Sequence, residues 1–311
     1  MGKIVGPGSL IVDVTGFAPH LPVAGETVKG STLKFGPGGK GSNQMTAAHR
    51  AGAQVQLIGC MGDDVLGQIL QKHYDTDGMS TKYITVQPGG ESGSALIEVD
   101  EADAQNRIIV IFAANEQVGR ETVMAAEKEF ADCDAVLTQL ETTVEAVQAT
   151  KELAQKYGKP FILNPAPYIP LPDGMLDGID YVTPNETETE QFTGVAVNSV
   201  EDCREAAKRF FQMGVKNVVI TLGVRGVFFS NGRQELVVPA LKVKAVETTG
   251  AGDAFNGGFA TAIAEGMPME TALKFATCTA AISVTRYGSS PSMPKREEIL
   301  ALMEKEFGVT L

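Results

Sequence analysis

The chain has 311 residues, of which 43% are hydrophobic and 21% charged. That balance excludes wholesale disorder and supplies enough apolar surface for a core without disulfide or metal, in one large domain or two small ones. Lysine and arginine number 26 against 38 acidic residues, a formal charge of −12, which argues against general affinity for nucleic acid or an anionic membrane.

Cys60, Cys133, Cys203 and Cys278 are widely separated with no C-x-x-C pair, a usage that suits a reducing cytosol. His20, His49 and His73 form no H-E-x-x-H arrangement, so a zinc hydrolase has no obvious ligands. The first residues lack a secretory apolar region, and no apolar run reaches the roughly 18 residues a membrane span needs. A soluble cytoplasmic protein is expected, with no membrane or nucleic-acid partner.

In chain order, a strand is expected over Ile4–Val14, then a helix over Gly41–Ala51, a strand over Gln54–Cys60 and a helix over Val65–Asp75. Further on, helices over Thr122–Phe130, Val144–Tyr157 and Glu201–Met213 alternate with short apolar strands at Ala135–Leu140, Phe161–Asn164, Tyr181–Thr183 and Val218–Leu222. Such alternation predicts an α/β fold, a mostly parallel central sheet with helices on both faces. Asn231-Gly232 between two apolar runs marks a short hairpin. Three helices close the chain at Gly250–Glu265, Met269–Thr285 and Glu297–Glu306. No repeat or linker divides it, so residues 1–311 are expected as one domain. Residues 10–35 and 92–112 read as extended segments without helices, forming a small separate sheet at the edge of the main one. In open α/β sheets, ligands bind beyond the carboxyl ends of the strands.

Four segments carry candidate chemistry. Gly36-Pro37-Gly38-Gly39-Lys40-Gly41-Ser42-Asn43-Gln44 contains G-x-G-x-x-G, with Asp63 and Asp64 about twenty residues on, as in a dinucleotide-binding fingerprint. A preceding strand, the proline in the turn and Lys40 at the pyrophosphate approach weigh against that. Walker A fails because Gly41 follows the lysine where Ser or Thr is required. A glycine turn admitting a polyhydroxyl ligand, with Lys40 and Asn43 as donors, explains more of the residues than a plain capped turn.

Thr248-Thr249-Gly250-Ala251-Gly252-Asp253 opens an apolar helix. Small residues there leave backbone N–H groups free for an anion. An aspartate at that point makes sense as the base that takes a proton from an attacking hydroxyl while amides hold a phosphoryl group. An ordinary first-turn carboxylate balancing the helix dipole, worth about 0.3–1 kcal/mol, is the competing explanation. The first segment tips the choice to the functional one. In Thr183-Pro184-Asn185-Glu186-Thr187-Glu188, Asn185 and Glu188 form either a capping box or the protein's hold on hydrated Mg²⁺ beside nucleotide phosphates. Thr221-Leu222-Gly223-Val224-Arg225-Gly226 ends a strand with two glycines, either a β-turn or a floor on which a nucleotide lies.

Together GPGGKGSNQ, QLE at 139–141, NPAP at 164–167, TPNETE, TLGVRG and TTGAGDAFNGG resemble, in order and over nearly the whole chain, the ribokinase branch of the PfkB carbohydrate kinases. The resemblance implies the ribokinase-like fold with a small β-sheet lid, and ATP-dependent phosphorylation of a sugar's primary hydroxyl, here the 5-hydroxyl of a pentose. It implies Asp253 as base, Gly250, Ala251 and Gly252 as anion hole, and Asp13, Gly39, Lys40, Asn43 and Glu141 as sugar contacts. Asn185 and Glu188 match the Mg²⁺ and phosphate element. Thr221, Gly223, Arg225 and Gly226 fall on the nucleotide loop, with Gly252 at the phosphates and Thr277 near adenine. A potassium site would involve Glu247, Thr249, Ser283, Arg286, Gly288 and Ser292. The extended segments would form the lid and a homodimer contact.

Two residues depart from the pattern. Ile11 stands where the branch has an asparagine, and an apolar residue there suits a sugar lacking one hydroxyl, such as 2-deoxyribose. Glu247 replaces an aspartate in the potassium site, one methylene longer. Ribose and 2-deoxyribose are close contenders, with another sugar or nucleoside kinase of the family behind them. A catalytically idle sugar-binding regulator is the alternative from a different class, disfavoured because Asp253 and Lys40 are both intact.

Overall fold

Residues 1–102 and 105–311 are described by a computed structural model. Asp103 and Ala104, which fall in the expected segment 92–112, lie outside the described residues. Among the described residues thirteen strands form two sheets. They are β1 (Lys3–Pro7), β2 (Ile11–Ala18), β3 (Thr32–Gly38), β4 (Gln54–Gly62), β5 (Tyr83–Gln87), β6 (Gly93–Asp100), β7 (Asn106–Ile111), β8 (Ala135–Thr138), β9 (Phe161–Leu163), β10 (Tyr181–Val182), β11 (Asn217–Thr221), β12 (Val227–Ser230) and β13 (Glu235–Val238). The large sheet runs β13-β12-β11-β10-β9-β8-β1-β4-β5. It is parallel from β5 to β11 and antiparallel only at its β12–β13 end.

Side-chain alternation along these strands separates two apolar layers. Val5, Val136, Phe161, Leu163, Val218 and Ile220 share one core with the helices Val144–Lys156 and Val200–Gln212. Their neighbours Ile4, Leu137, Ile162 and Val219 face the other way, towards the helices Lys40–Arg50, Val65–Asp77, Ala251–Ala264, Met269–Ser283 and Arg296–Phe307. Runs apolar on both sides are what a parallel sheet with two helical covers requires. The expected architecture is thus present.

The small sheet, β3-β2-β6-β7, gathers both extended segments. Its β2 pairs antiparallel with β3 and parallel with β6. The strand expected over Ile4–Val14 is therefore two strands in different sheets, parted at Gly8-Ser9-Leu10. The cause is steric. A Cβ on Gly8 would stand 2.4 Å from the Cα of Gly41, and one on Gly41 would stand 2.2 Å from that of Gly8, so the chain leaving β1 passes directly under the start of helix Lys40–Arg50.

Three further differences are local. The helix expected over Thr122–Phe130 is two pieces, Arg120–Met124 and Glu127–Asp132, with Val123, Ala126 and Phe130 all still buried. Strand β5 lies in a stretch for which no strand was expected. The Asn231-Gly232 hairpin closes on Ser230 and Glu235 as a four-residue loop, because the Asn231 Oδ1 accepts from the amides of both Arg233 and Gln234.

Strand β1 lies between β4 and β8, so successive connections leave it in opposite directions. The crevice beyond the carboxyl ends of β1 and β8 is the place where such sheets bind ligands.

Candidate active site

Ser9 follows β1 and Glu141 follows β8, and the Ser9 hydroxyl donates to Glu141 Oε2 at 2.6 Å. The same oxygen accepts from the Lys40 amide at 2.9 Å, while the Ser9 Oγ accepts from the Gly41 amide at 3.2 Å. A carboxylate and a hydroxyl from two strand ends thus take the first orphan donors of helix Lys40–Arg50, whose N-cap Gly39 brings no side chain of its own. Gly39 sits at φ 84°, where a Cβ would lie 2.8 Å from the Ser9 carbonyl.

Asp13 projects from β2 and accepts from the Ser289 hydroxyl at 2.8 Å. Burial, reinforced by the charges of Asp253, Glu141 and Glu247 and opposed by the Ser289 bond, pushes its carboxyl up to about 6. Ile11 is two residues earlier, on the same face of β2 by strand alternation. It is buried, whereas Leu10, Val12 and Val14 belong to the apolar layer of the large sheet. Asp13, beside Gly38, and Glu141, on the Lys40 amide, thus both border the Gly38–Lys40 turn.

Burial alone would depress the Lys40 ammonium, but Asp253, Glu141 and Glu188 surround it and carry it above its ordinary value. It forms no ion pair among the described residues. Burial raises Glu141, with Lys40 and the Ser9 hydroxyl pulling the other way. Burial likewise raises Glu188. A single cation amid three carboxylates can accept a further negative group with less repulsion than the net charge suggests.

Asp253 is in the first turn of helix Ala251–Ala264 and buried. Its Oδ2 accepts from Asn43 Nδ2 and its Oδ1 from Gln44 Nε2, both at 2.9 Å. The Asn43 oxygen in turn accepts from the Ser290 hydroxyl at 2.6 Å. Gly250 caps the helix in a left-handed conformation, φ 79°, with no side-chain cap. The Ala251 amide donates to the Thr248 carbonyl at 3.2 Å, whereas those of Gly252 and Asp253 have no acceptor among the described residues. Nothing lies within 4 Å of a Cβ placed on Gly252. Free donors, open space and a buried carboxylate meet at one helix end. Of the three residues expected as the anion hole, Ala251 is the one whose amide is already engaged.

Asn185 caps helix Glu186–Thr193, and both bonds of the capping box are made. Its amides occupy both Glu188 carboxylate oxygens, at 2.9 and 3.0 Å. A β-bridge joins Asn185 to Thr221 at the end of β11 and so places the nucleotide loop beside it. Arg225 donates to Glu186 and to the carbonyls of Val197 and Asn198, each at 2.7 Å. Its guanidinium therefore anchors the loop. Gly226, at φ 103°, leaves no room for a Cβ, which would lie 2.1 Å from the Val238 carbonyl. Gly223 borders open space. Thr277 is buried on helix Met269–Ser283 with no hydrogen bond to that loop.

Of the residues expected at a potassium site, Glu247 and Gly288 are in direct contact. Glu247 Oε2 accepts from the Gly288 amide at 2.9 Å, and the amides of Val246 and Glu247 both donate to the Val284 carbonyl. Ser292 donates to the Ser289 carbonyl, Ser283 to that of Ala280, and the Arg286 guanidinium is paired with Glu298. Thr249 is exposed. Among the described residues no three His, Cys, Asp or Glu side chains form a metal-binding cluster.

The dinucleotide fingerprint dissolves on inspection. Gly36 and Gly38 belong to β3 of the small sheet, Asp64 caps helix Val65–Asp77, and Asp63 accepts from the Gly89 amide. Several residues of the site escaped sequence reasoning, among them Ser9, Gln44, Gln139, Asn164, Ser289 and Ser290. Gln44 and Gln139 end or open quoted motifs, and Gln44 stands beside the apolar Met45, Ala47 and Ala48 of the same helix.

The pattern of the pfkB family carbohydrate kinases matches residues 1–296. Ribokinase from Haemophilus influenzae is 38% identical over 297 residues, 96% of this chain and 97% of its own length. Deoxyribokinase from Salmonella typhimurium is 35% identical over 292 residues, 94% and 95% of the two chains. The solved structure of Arabidopsis thaliana ribokinase complexed with ribose and ATP superimposes with a TM-score of 0.89 at 30% identity, covering 97% of this chain and 98% of that one. The family match and these relatives, with a doubly covered parallel sheet, define an ATP-dependent phosphotransferase. More particularly, this chain belongs to the pfkB family of carbohydrate kinases.

Proposed function

We propose that the protein transfers the γ-phosphoryl group of ATP to the primary 5-hydroxyl of a pentose, ribose in the first place. The observation that carries this is Asp253, a buried carboxylate held by two amide donors at a helix end where the Gly252 and Asp253 amides have no acceptor among the described residues. The sugar lies between Asp13, Glu141 and the Gly39–Asn43 turn, and its 5-hydroxyl gives a proton to Asp253 as its oxygen attacks the γ-phosphorus. The amides of Gly252 and Asp253 receive the negative charge of the transferring group, and ADP departs towards the Thr221–Gly226 loop. Lys40 lies between the sugar side and Glu188, where it screens the phosphates from the carboxylates.

Mg²⁺ is proposed at Asn185 and Glu188. Both carboxylate oxygens are committed to Asn185, which fits an ion held through its own waters. When bound, the ion offsets phosphate charge. K⁺ is proposed beside Glu247, Thr249, Ser283, Arg286, Gly288 and Ser292, a set whose donors there are oxygens, Arg286 contributing its carbonyl. A cytoplasmic location is supported by four free, buried cysteines. Among the described residues no helix is long and apolar enough to cross a membrane. The small sheet serves as the lid, and its exposed outer strand as the homodimer contact.

A second reading, 2-deoxyribose, is favoured by Ile11. ATP consumption with ribose, 2-deoxyribose, fructose and nucleosides side by side, with Mg²⁺ and K⁺ present, decides between them. A buried hydroxyl left without a partner costs ~1–3 kcal/mol, so Ile11→Asn should shift the kcat/KM ratio towards ribose by roughly 5- to 100-fold. No turnover of any sugar would overturn the kinase reading.

A further inference from the structure

Behind Asp253 lies a chain of three buried amides that the reaction as described does not use. Gln44 Nε2 donates to Asp253 Oδ1 and to Asn164 Oδ1, both at 2.9 Å. Gln44 Oε1 accepts from Gln139 Nε2 at 2.7 Å, and Asn164 Nδ2 donates to the Thr183 carbonyl at 2.9 Å. Gln44, Gln139 and Asn164 come from the helix Lys40–Arg50 and from the ends of β8 and β9, and all three are buried.

The direction of this chain is fixed at both ends. A carboxylate and a main-chain carbonyl can only accept, so Gln44 must turn its NH₂ to Asp253, and Asn164 must turn its NH₂ to Thr183 and its oxygen to Gln44. Gln44 is then left with an oxygen facing Gln139, which must present its own NH₂. The remaining Gln139 oxygen ends the sequence of choices, and it is buried without a hydrogen-bond partner among the described residues. An orphaned acceptor is the expected signature of a network whose sense is imposed from its far end.

We propose that Gln44, oriented by Gln139 and Asn164, is a positioning residue for the phosphoryl-transfer step. It holds the Asp253 carboxylate by Oδ1, so that Oδ2 is presented to the sugar hydroxyl. Asn43, on the opposite oxygen, is itself an expected sugar contact and is tied to Ser290, whereas Gln44 is fully buried and touches the reaction only through Asp253. The proposal rests on Asp253 being the base.

The test is steady-state kinetics together with sugar binding measured by calorimetry, on Gln44→Met, Gln139→Met and Asp253→Asn. Gln44→Met is expected to lower kcat about 10- to 100-fold with sugar affinity changed less than about 3-fold. Gln139→Met should lower kcat by a smaller factor with the same split, and it carries the test if Gln44→Met does not fold. Equal losses in kcat and sugar affinity, or unchanged kcat in whichever of the two folds, would overturn the positioning role. Full turnover by Asp253→Asn would instead overturn the base, a separate result.

Discussion

Asp13 is the residue at which binding and stability pull hardest against each other. Its carboxyl is raised from 3.8 to about 6, chiefly by burial, so between those values the folded protein holds a proton that the unfolded chain has released. Stability contributed by the neutral form is complete below the unfolded value and is lost as pH rises through about 6. With one unit worth about 1.4 kcal/mol, Asp13→Asn should stabilise the sugar-free protein by ~1–3 kcal/mol at pH 8 and leave it little changed at pH 4. Denaturant unfolding at the two pH values checks this. The same variant should bind sugar roughly 10- to 100-fold more weakly, because an ionised acceptor makes the stronger hydrogen bond. Wild-type sugar affinity should itself decline as pH falls below about 6. A stabilised variant that binds sugar normally would remove Asp13 from the site.

At the scale of elements, the contact between the exit of β1 and the start of helix Lys40–Arg50 determines where Lys40, Asn43 and Gln44 stand. Gly41→Ala would place a Cβ within 2.4 Å of the Gly8 Cα and Ser9 N. The helix must then retreat, carrying three site residues with it. Activity is expected to be abolished and the thermal midpoint lowered by several degrees, as overpacking costs roughly 1–3 kcal/mol. A fully active Gly41→Ala enzyme would contradict that placement.

Long elements of this kind were legible in the sequence because period and length speak together. Helices Val65–Asp77 and Val144–Lys156 differ from expectation only at their ends. What was hidden depends on partners far along the chain. The division of 4–14 follows from a backbone approach by Gly41, and β5 is specified by its pairing with β4. Of the site, Asp253, Lys40 and Asn43 stood out as reactive types in glycine-rich surroundings. Gln44, Gln139 and Ser289 did not, because a neutral polar residue shows its purpose only when its hydrogen-bond partners are known. Asn185 and Glu188 held two readings from the start, and the capping box is made without excluding the other.

On the molecule as a whole, the small sheet has β3 and β7 as its edges, and among the described residues β7 is the more apolar of the two. Ile108, Ile109, Val110 and Ile111 on β7 are exposed, Ile109 at 64%, and an unpaired apolar edge strand invites pairing with another chain. Sedimentation should find a dimer in solution, and Ile109→Lys should shift it to monomer with the large sheet intact. A wild-type monomer at micromolar concentration would reject the dimer contact.

The site also joins the two ends of the chain. Asp13 meets Ser289, and Asn43 and Gln44 meet Asp253, across separations of 276, 210 and 209 residues. On a ribosome adding about 5–20 residues per second, the sugar-binding turn near residue 40 emerges roughly 10–40 seconds before the helix bearing Asp253 has been made. Throughout that interval β1, β2 and the first helix lack the residues that complete their pocket, and a nascent chain stopped short of Ser289 cannot assemble it. The newborn protein becomes a kinase only once Ser289 has been added, and until then the half-built sheet depends on whatever shields it.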